Sequence, residues 1–352
     1  MKAFIIILNF HTSNSILVSR MLRSNKIYSK VYPGSTEVRN VKIEGCKGVI
    51  IVGDYAGSVL GIQTDPMWFK LGLPVLAVGS AAIALTLMYG GKVSDGIVLK
   101  SSEILEFSTD KSNFLTKNNE AMFVARELFP SGNMDCFAKT KSGICVDVYH
   151  KQLEIYGTQR VLERNDPESI ELILGFTINV CFCEQNWDIK EYASSEINRV
   201  KEKYNNYNIV CAISGGVDSI VSTLIAKQAF GDKVKCLIID NGFFRLKEIK
   251  EIKDFFENYL KVPIIIIDAK ELFLNEIKNI SENSKKEIAI RKLIKIVLTN
   301  EIRKFEENTL VITGTNYNDI LFHSSNFEII DDENIQNDDL KSYQPLANLF
   351  KF

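Results

Sequence analysis

The chain has almost no net charge. Its 42 Lys and Arg against 44 Asp and Glu leave −2 at neutral pH. The basic stripe that nucleic acid or an anionic membrane surface would need is missing, so neither is an expected partner. Apolar runs of bilayer length are missing too. The longest, such as "VPIIIIDA" at 262–269, are strand-sized. The N-terminal "MKAFIIILNF" has a single lysine and no small-residue cleavage site, so it reads as a buried first strand rather than an export signal. There is no disulfide framework. Seven cysteines (46, 136, 145, 181, 183, 211 and 236) are an odd number, and Cys181 and Cys183 form C-x-C rather than the metal or redox C-x-x-C. All seven are expected as reduced thiols in a cytoplasmic protein. Histidine is scarce as well. Only His11, His150 and His323 are available as imidazole bases, and all three are expected in structural or surface roles. No internal repeat is visible.

What is present is ordinary globular composition, 46% hydrophobic and 24% charged over 352 residues, enough for two cores. Apolar runs alternate with amphipathic stretches, which predicts α/β architecture: two domains, each a mostly parallel sheet with flanking helices. The first half offers strands at 3–8, 48–52 and 74–78. A strand-rich flap follows over 101–158, and a helix, "PESIELILGFTINVCF", leads out. The charged stretch 184–206 has helical spacing and reads as a linker helix. A second unit starts at Asn208, with strands at 209–213, 234–240, 262–268 and 309–313. The expected division is 1–187, linker 188–207, and 208–352. The acidic stretch 324–339 is expected to be a mobile loop.

One turn carries chemistry. "SGGVDS", Ser214 to Ser219, lies between a buried strand and an amphipathic helix. Gly215 and Gly216 let the backbone approach a ligand without a Cβ clash. The amides of Val217 through Ile220 and the positive end of the helix then form an anion site, with hydroxyl groups from Ser214 and Ser219. Asp218 would repel a bare anion. It suits a site where Mg2+ bridges carboxylate and phosphate. The lysine of the Walker loop, G-x-x-x-x-G-K-[ST], is absent.

This loop resembles the signature of the N-type ATP pyrophosphatases, which implies ATP and Mg2+ as ligands. The resemblance also implies attack of a substrate oxygen on the α-phosphorus, release of pyrophosphate, and displacement of AMP by nitrogen or sulfur. Further segments resemble the GMP synthetase family in order along the chain. They are "ILNFHTSNSILVSRMLR" from Ile7, "YGTQ" at 156–159, "INVCFCEQNW" at 178–187, "CLIIDNGFFRLKE" at 236–248, "ITGTNYNDIL" at 312–321 and "YQPLANLFK" at 343–351. The resemblance implies a class I glutamine amidotransferase-like domain followed by an ATP pyrophosphatase domain. It adds Asp240, Gly314 and Thr315 to the ATP site, and Arg245, Asp319 and His323 to the acceptor side. It also raises Lys285, Lys286 and Arg291 of "NSKKEIAIRKLIK" as candidate phosphate contacts, against the plainer reading of a solvated helix face.

The family pattern then breaks. Where it reads "G-I-C-Y-G-M-Q", this chain has "AVGSAAI", so the nucleophile's position falls on Gly79. Where it reads "Q-F-H-P-E", the chain has "QRVLE": the histidine's position falls on Val161 and only the carboxylate, Glu163, remains. Ser80 has no matching base. "VGDYAGS" at 52–58 puts an aspartate in the oxyanion stretch. Glutaminase activity is therefore expected to be absent, with nitrogen coming as free ammonia or from a separate source. The acidic 324–339 stretch replaces a basic segment that contacts the nucleotide substrate in the family, and the chain ends at Phe352 without the family's dimerisation domain. Three readings stay open: amination of XMP, the family default; a different small-molecule acceptor; and a non-catalytic nucleotide-binding protein.

Overall fold

Six consecutive residues of β1, Phe4–Asn9, are all buried, because parallel strands flank it on both sides and its two faces are covered. The structure is a computed structural model. It describes residues 3–10, 13–55, 63–107, 120–305, 308–315 and 341–343. The chain divides into two compact units between Asp188 and Ile189. Among the described residues no helix is long and apolar enough to cross a membrane.

In the first unit, β1 pairs in parallel with β2 (Ser29–Pro33) and β3 (Cys46–Val52), and β3 with β4 (Val75–Val78). Helix α1 (Asn14–Ser24) follows β1, and α2 (Ser80–Met88) follows β4. The strands expected as a flap on the sheet extend that sheet itself. These are β6 (Leu99–Phe107), β7 (Glu120–Ala125), β9 (Met134–Thr140), β10 (Cys145–His150) and β11 (Ile155–Thr158). The order is β2-β1-β3-β4-β11-β10-β9-β6-β7, antiparallel beyond β11. The short β5 (Lys92–Val93) and β8 (Leu128–Phe129) pair separately. Helix α3 (Pro167–Leu174) is capped by Asp166, whose carboxylate accepts from the Ser169 amide at 2.8 Å.

The β9–β10 hairpin overturns one expectation. Cys136 and Cys145 are joined by a disulfide, with Cα atoms 6.0 Å apart. That separation lies in the range a disulfide needs, and it arises in an irregular hairpin whose register shifts between Cys145 and Val148, which cysteine spacing does not reveal. The other five cysteines are free and buried.

In the second unit, β12 (Asn208–Ala212) is the centre of an all-parallel sheet, order β14-β13-β12-β15-β16. The other strands are β13 (Val234–Asp240), β14 (Ile264–Asp268), β15 (Thr309–Thr313) and β16 (Lys341–Tyr343). Alternation along β12 serves two cores. Ile209 and Cys211 join a cluster with Ala226 and Phe230 of α5 (Val217–Phe230), while Val210 faces Leu298 and Ile302 of α8 (Asn283–Ile302). The remaining helices are α6 (Glu248–Asn258) and α7 (Lys270–Ile277). The helix read as a linker, α4 (Ile189–Tyr204), is an integral part of this unit: Val200 lies in the same core as Ile209, fully buried. One of its charges is buried as well: Glu196, whose Oε1 lies 2.8 Å from Arg199 Nη2. His150 is buried and structural. Its Nδ1 accepts from the amides of Gln152 and Leu153 at 3.1 and 3.0 Å.

Candidate nucleotide site

β12 hands the chain to the loop at the switch point of the sheet, where successive strands go to opposite sides. A crevice at the carboxyl ends of such strands is where open α/β sheets bind ligands. Gly215 has φ +82°, the left-handed region that favours glycine, and it sits directly over Ile252 of α6. Gly216 caps α5 in extended conformation, and the Ser214 hydroxyl accepts from its amide at 3.4 Å. Ser214, Gly216, Val217 and Asp218 are exposed, and Ser219 is buried. The Ser219 hydroxyl donates to the Gly216 carbonyl at 2.7 Å, so its proton closes the first turn of α5 rather than facing a ligand. Across the loop stands Gly314. A Cβ on it would be 2.6 Å from the Ser219 amide nitrogen, and this absence lets the end of β15 close over the start of α5.

The result is a cavity of about 440 Å3 in the second unit. One side is polar: Ser214, Gly216, Asp218, Ser219, Asn241, Gly314 and Thr315. The other is apolar: Leu237 and Ile239 of β13, Phe244, and Ile294 and Leu298 of α8. A phosphate-sized end beside an apolar slot is the division that a nucleotide needs.

The expected site residues are not all brought together. Gly215 and Ile220 shape the loop from behind. Asp240 stands buried at the end of β13, where Oδ1 accepts from the Gly242 amide at 3.1 Å and Oδ2 lies 3.0 Å from Lys270 Nζ. Its neighbours Asn241 and Phe244 line the cavity instead. Arg245 is exposed, and its amide donates to Glu248 Oε2 at 2.7 Å. Lys285 pairs with Glu282 at 2.8 Å and Arg291 pairs with Glu287. Neither they nor Lys286 line the cavity, which α8 reaches through Ile294 and Leu298. Asp319, His323 and the 324–339 stretch lie outside the described residues, as does His11. Sequence reasoning missed Phe244, Ile294, Leu298 and Lys270. The hydrophobic spacing of α8 was the one available signal, and it reads equally as core.

In the first unit, Gly79 sits on a sharp strand-to-helix turn with φ 66° and ψ −132°, the shape of a nucleophile elbow. A Cβ at this position would lie 3.0 Å from the Gly53 carbonyl oxygen and 3.2 Å from that of Asp54. The Ser80 amide, placed as an oxyanion donor would be, donates to the Asp54 carbonyl at 2.8 Å. Tyr55 spans from the elbow to the next loop: its ring lies 3.3 Å from the Gly79 Cβ position and its hydroxyl accepts from the Leu162 amide at 2.6 Å. Burial pushes that phenol well above its usual range. Val161 donates its amide to the Met122 carbonyl at 2.9 Å. Glu163 is exposed, with its amide on Ser169 Oγ at 3.0 Å.

The loop, the switch-point crevice and the half-apolar cavity make the second unit an α/β domain with a candidate phosphate loop at its switch point. The model for the family described as NAD synthase matches residues 189–322. Over 330 residues, the chain is 27% identical to a GMP synthase [glutamine-hydrolyzing] of Brachyspira hyodysenteriae, covering 90% of this chain and 63% of that protein. It is 26% identical to the enzyme of the same name from Francisella tularensis subsp. novicida, covering 99% of this chain and 70% of that one. Among solved structures it is similar to a Thermoplasma acidophilum protein provisionally assigned as one of the subunits of GMP synthase. That match has 15% identity and a TM-score of 0.44, over 52% of this chain and 95% of that one. The chain is thus GMP-synthetase-like along its length, and it spans somewhat under two thirds of the first relative it matches.

Proposed function

We propose that the second unit binds ATP with Mg2+, adenylylates a small acceptor, and lets ammonia complete an amination. The acceptor oxygen bonds to the α-phosphorus as pyrophosphate leaves. Ammonia then bonds to the acceptor carbon as AMP leaves with the C–O bonding pair. The observation that carries this reading is the cavity itself. Helix α5 presents its amino end and the Ser214–Ser219 loop on one side, with the apolar wall of Leu237, Ile239, Ile294 and Leu298 opposite. The residues fit the ligand. Gly215 lets the loop turn over Ile252, and Gly314 lets the end of β15 approach the start of α5. Asp218 is an exposed carboxylate at the loop. Among the described residues no group of three or more His, Cys, Asp and Glu would hold a metal alone. Asp218 would hold Mg2+, which would offset charge on the transferring group. The chain's own residues supply position: helix amides at the phosphates, the Thr313–Thr315 turn over the loop, and the apolar slot for the base.

The nitrogen is proposed to come from free ammonia or a separate protein, because the glutaminase positions hold Gly79 and Val161. The acceptor class is a purine nucleotide, with XMP the first to test. The match of 189–322 to NAD synthase, whose name gives a different product, makes a panel of acceptors necessary. The decisive measurement is ATP–pyrophosphate exchange across that panel, followed by product formation with ammonium or with glutamine. Exchange that needs an acceptor, and amination with ammonium alone, is the expected result. Tight ATP binding without exchange on any acceptor would point instead to a nucleotide-sensing protein. No ATP binding at all would end the reading.

A further inference from the structure

Lys270 opens α7 and comes from a different strand–helix unit from the phosphate loop. Its Nζ lies 3.0 Å from Asp240 Oδ2 and 3.6 Å from Asp268 Oδ2. The other oxygen of Asp240 accepts from the Gly242 amide at 3.1 Å, and its carbonyl accepts from the Ala269 amide at 2.9 Å. Gly242 has φ +82°, and a Cβ there would meet the Lys270 stem at 3.5 Å. The next residue, Phe243, rests edge-on against Phe273 of α7, with ring centres 6.5 Å apart. The turn after β13 is therefore tied to α7 by charge, by backbone and by ring contact. That turn delivers Asn241 and Phe244 to the cavity.

Asp240 is buried, and a buried carboxylate is tolerated only when paired or well hydrogen-bonded. Left unpaired at the end of β13, it would either draw water into the turn or oppose a triphosphate nearby. The Lys270 side chain is about half exposed at 48%, so its ion pair adds little to global stability. Its effect is local, on the geometry of 241–244.

We infer that Lys270 is a positioning residue for the nucleotide cavity: by pairing with Asp240 it sets the turn that carries Asn241 and Phe244, and it neutralises a carboxylate beside an anionic ligand. This rests on the nucleotide reading of the site.

The test compares wild type, Lys270→Met and Lys270→Arg in the full chain. Three quantities are read: the hydrogen-exchange rate of the Gly242 amide without ligand, the Kd for ATP·Mg2+ by calorimetry, and Tm. In Lys270→Met, Gly242 should exchange about tenfold faster, because the carboxylate that holds its amide has lost its partner. ATP·Mg2+ should bind roughly five- to tenfold more weakly, while Tm moves by no more than about 2 °C. Lys270→Arg should restore both local readouts. If Lys270→Met keeps wild-type affinity, or keeps the Gly242 protection of the wild type, the inference is wrong while the nucleotide site stands. A large fall in Tm with unchanged affinity would make Lys270 merely structural and would also overturn it. If wild type itself fails to bind ATP·Mg2+, both readings fall together.

Discussion

At the level of single residues, two glycines test opposite halves of the molecule. A methyl group at Gly314 would lie 2.6 Å from the Ser219 amide nitrogen and 2.9 Å from the Asp218 carbonyl carbon. Backbone atoms at the start of a helix yield little, so the cost of such overpacking is about 1–3 kcal/mol. Gly314→Ala should weaken ATP·Mg2+ binding by at least about tenfold and lower Tm, both measurable by calorimetry. Gly79 is the converse case. Placing the missing thiol there, as Gly79→Cys with Val161→His, should yield no glutamate from glutamine in a coupled assay. The donor at Ser80 is already spent on Asp54, Tyr55 fills the space toward Leu162, and a Cβ at φ 66° is strained by about 1–3 kcal/mol. Glutamate release at a rate well above background would show that the turn still opens.

At the scale of elements, the sequence was most legible where a feature is local. The run "VCAIS", two glycines and an amphipathic stretch announced β12, the turn and α5, because each is set by neighbours in the chain. Asp240, by contrast, enters the ATP site only through the family resemblance, and its function depends on Lys270 from the next helix. The contact of Tyr55 with Leu162 joins residues 107 apart in sequence, and no pattern marks it. The β9–β10 disulfide was hidden for the same reason: it depends on the irregular pairing of the hairpin, not on cysteine count. The hairpin offers a direct check. The five free cysteines are buried, and burial pushes the Cys46 and Cys183 thiols up to about 11, so they should not react with a thiol reagent near neutral pH in the folded protein. Unfolding without reductant should expose five reactive thiols, and unfolding after reduction all seven. Seven without reductant would mean that Cys136 and Cys145 are not bonded. Asp147 of the adjoining β10 holds a buried ion pair with Arg160, just beyond β11, Arg160 Nη2 to Asp147 Oδ2 at 3.1 Å. Arg160→Met should cost about 3–5 kcal/mol in urea unfolding, because it strands a buried charge.

At the scale of the whole molecule, each unit has its own core, and the proposed chemistry resides in one of them. That separation has a thermodynamic signature. A ligand that binds only the folded form of a unit stabilises it by RT ln(1 + [L]/Kd), about 2.7 kcal/mol at a hundred times Kd. The Ser214–Ser219 loop, the β15 turn and the α8 wall all belong to the second unit, so ATP·Mg2+ should raise the melting of that unit. Glutamine should move neither transition, since the elbow at Gly79 lacks both nucleophile and free donor. Differential scanning calorimetry of the full chain, with each ligand in turn, reads this directly, and Gly314→Ala identifies which transition belongs to the nucleotide unit. Stabilisation by glutamine would return the first unit to the amidotransferases. An ATP effect undiminished in Gly314→Ala would place the nucleotide somewhere other than the loop.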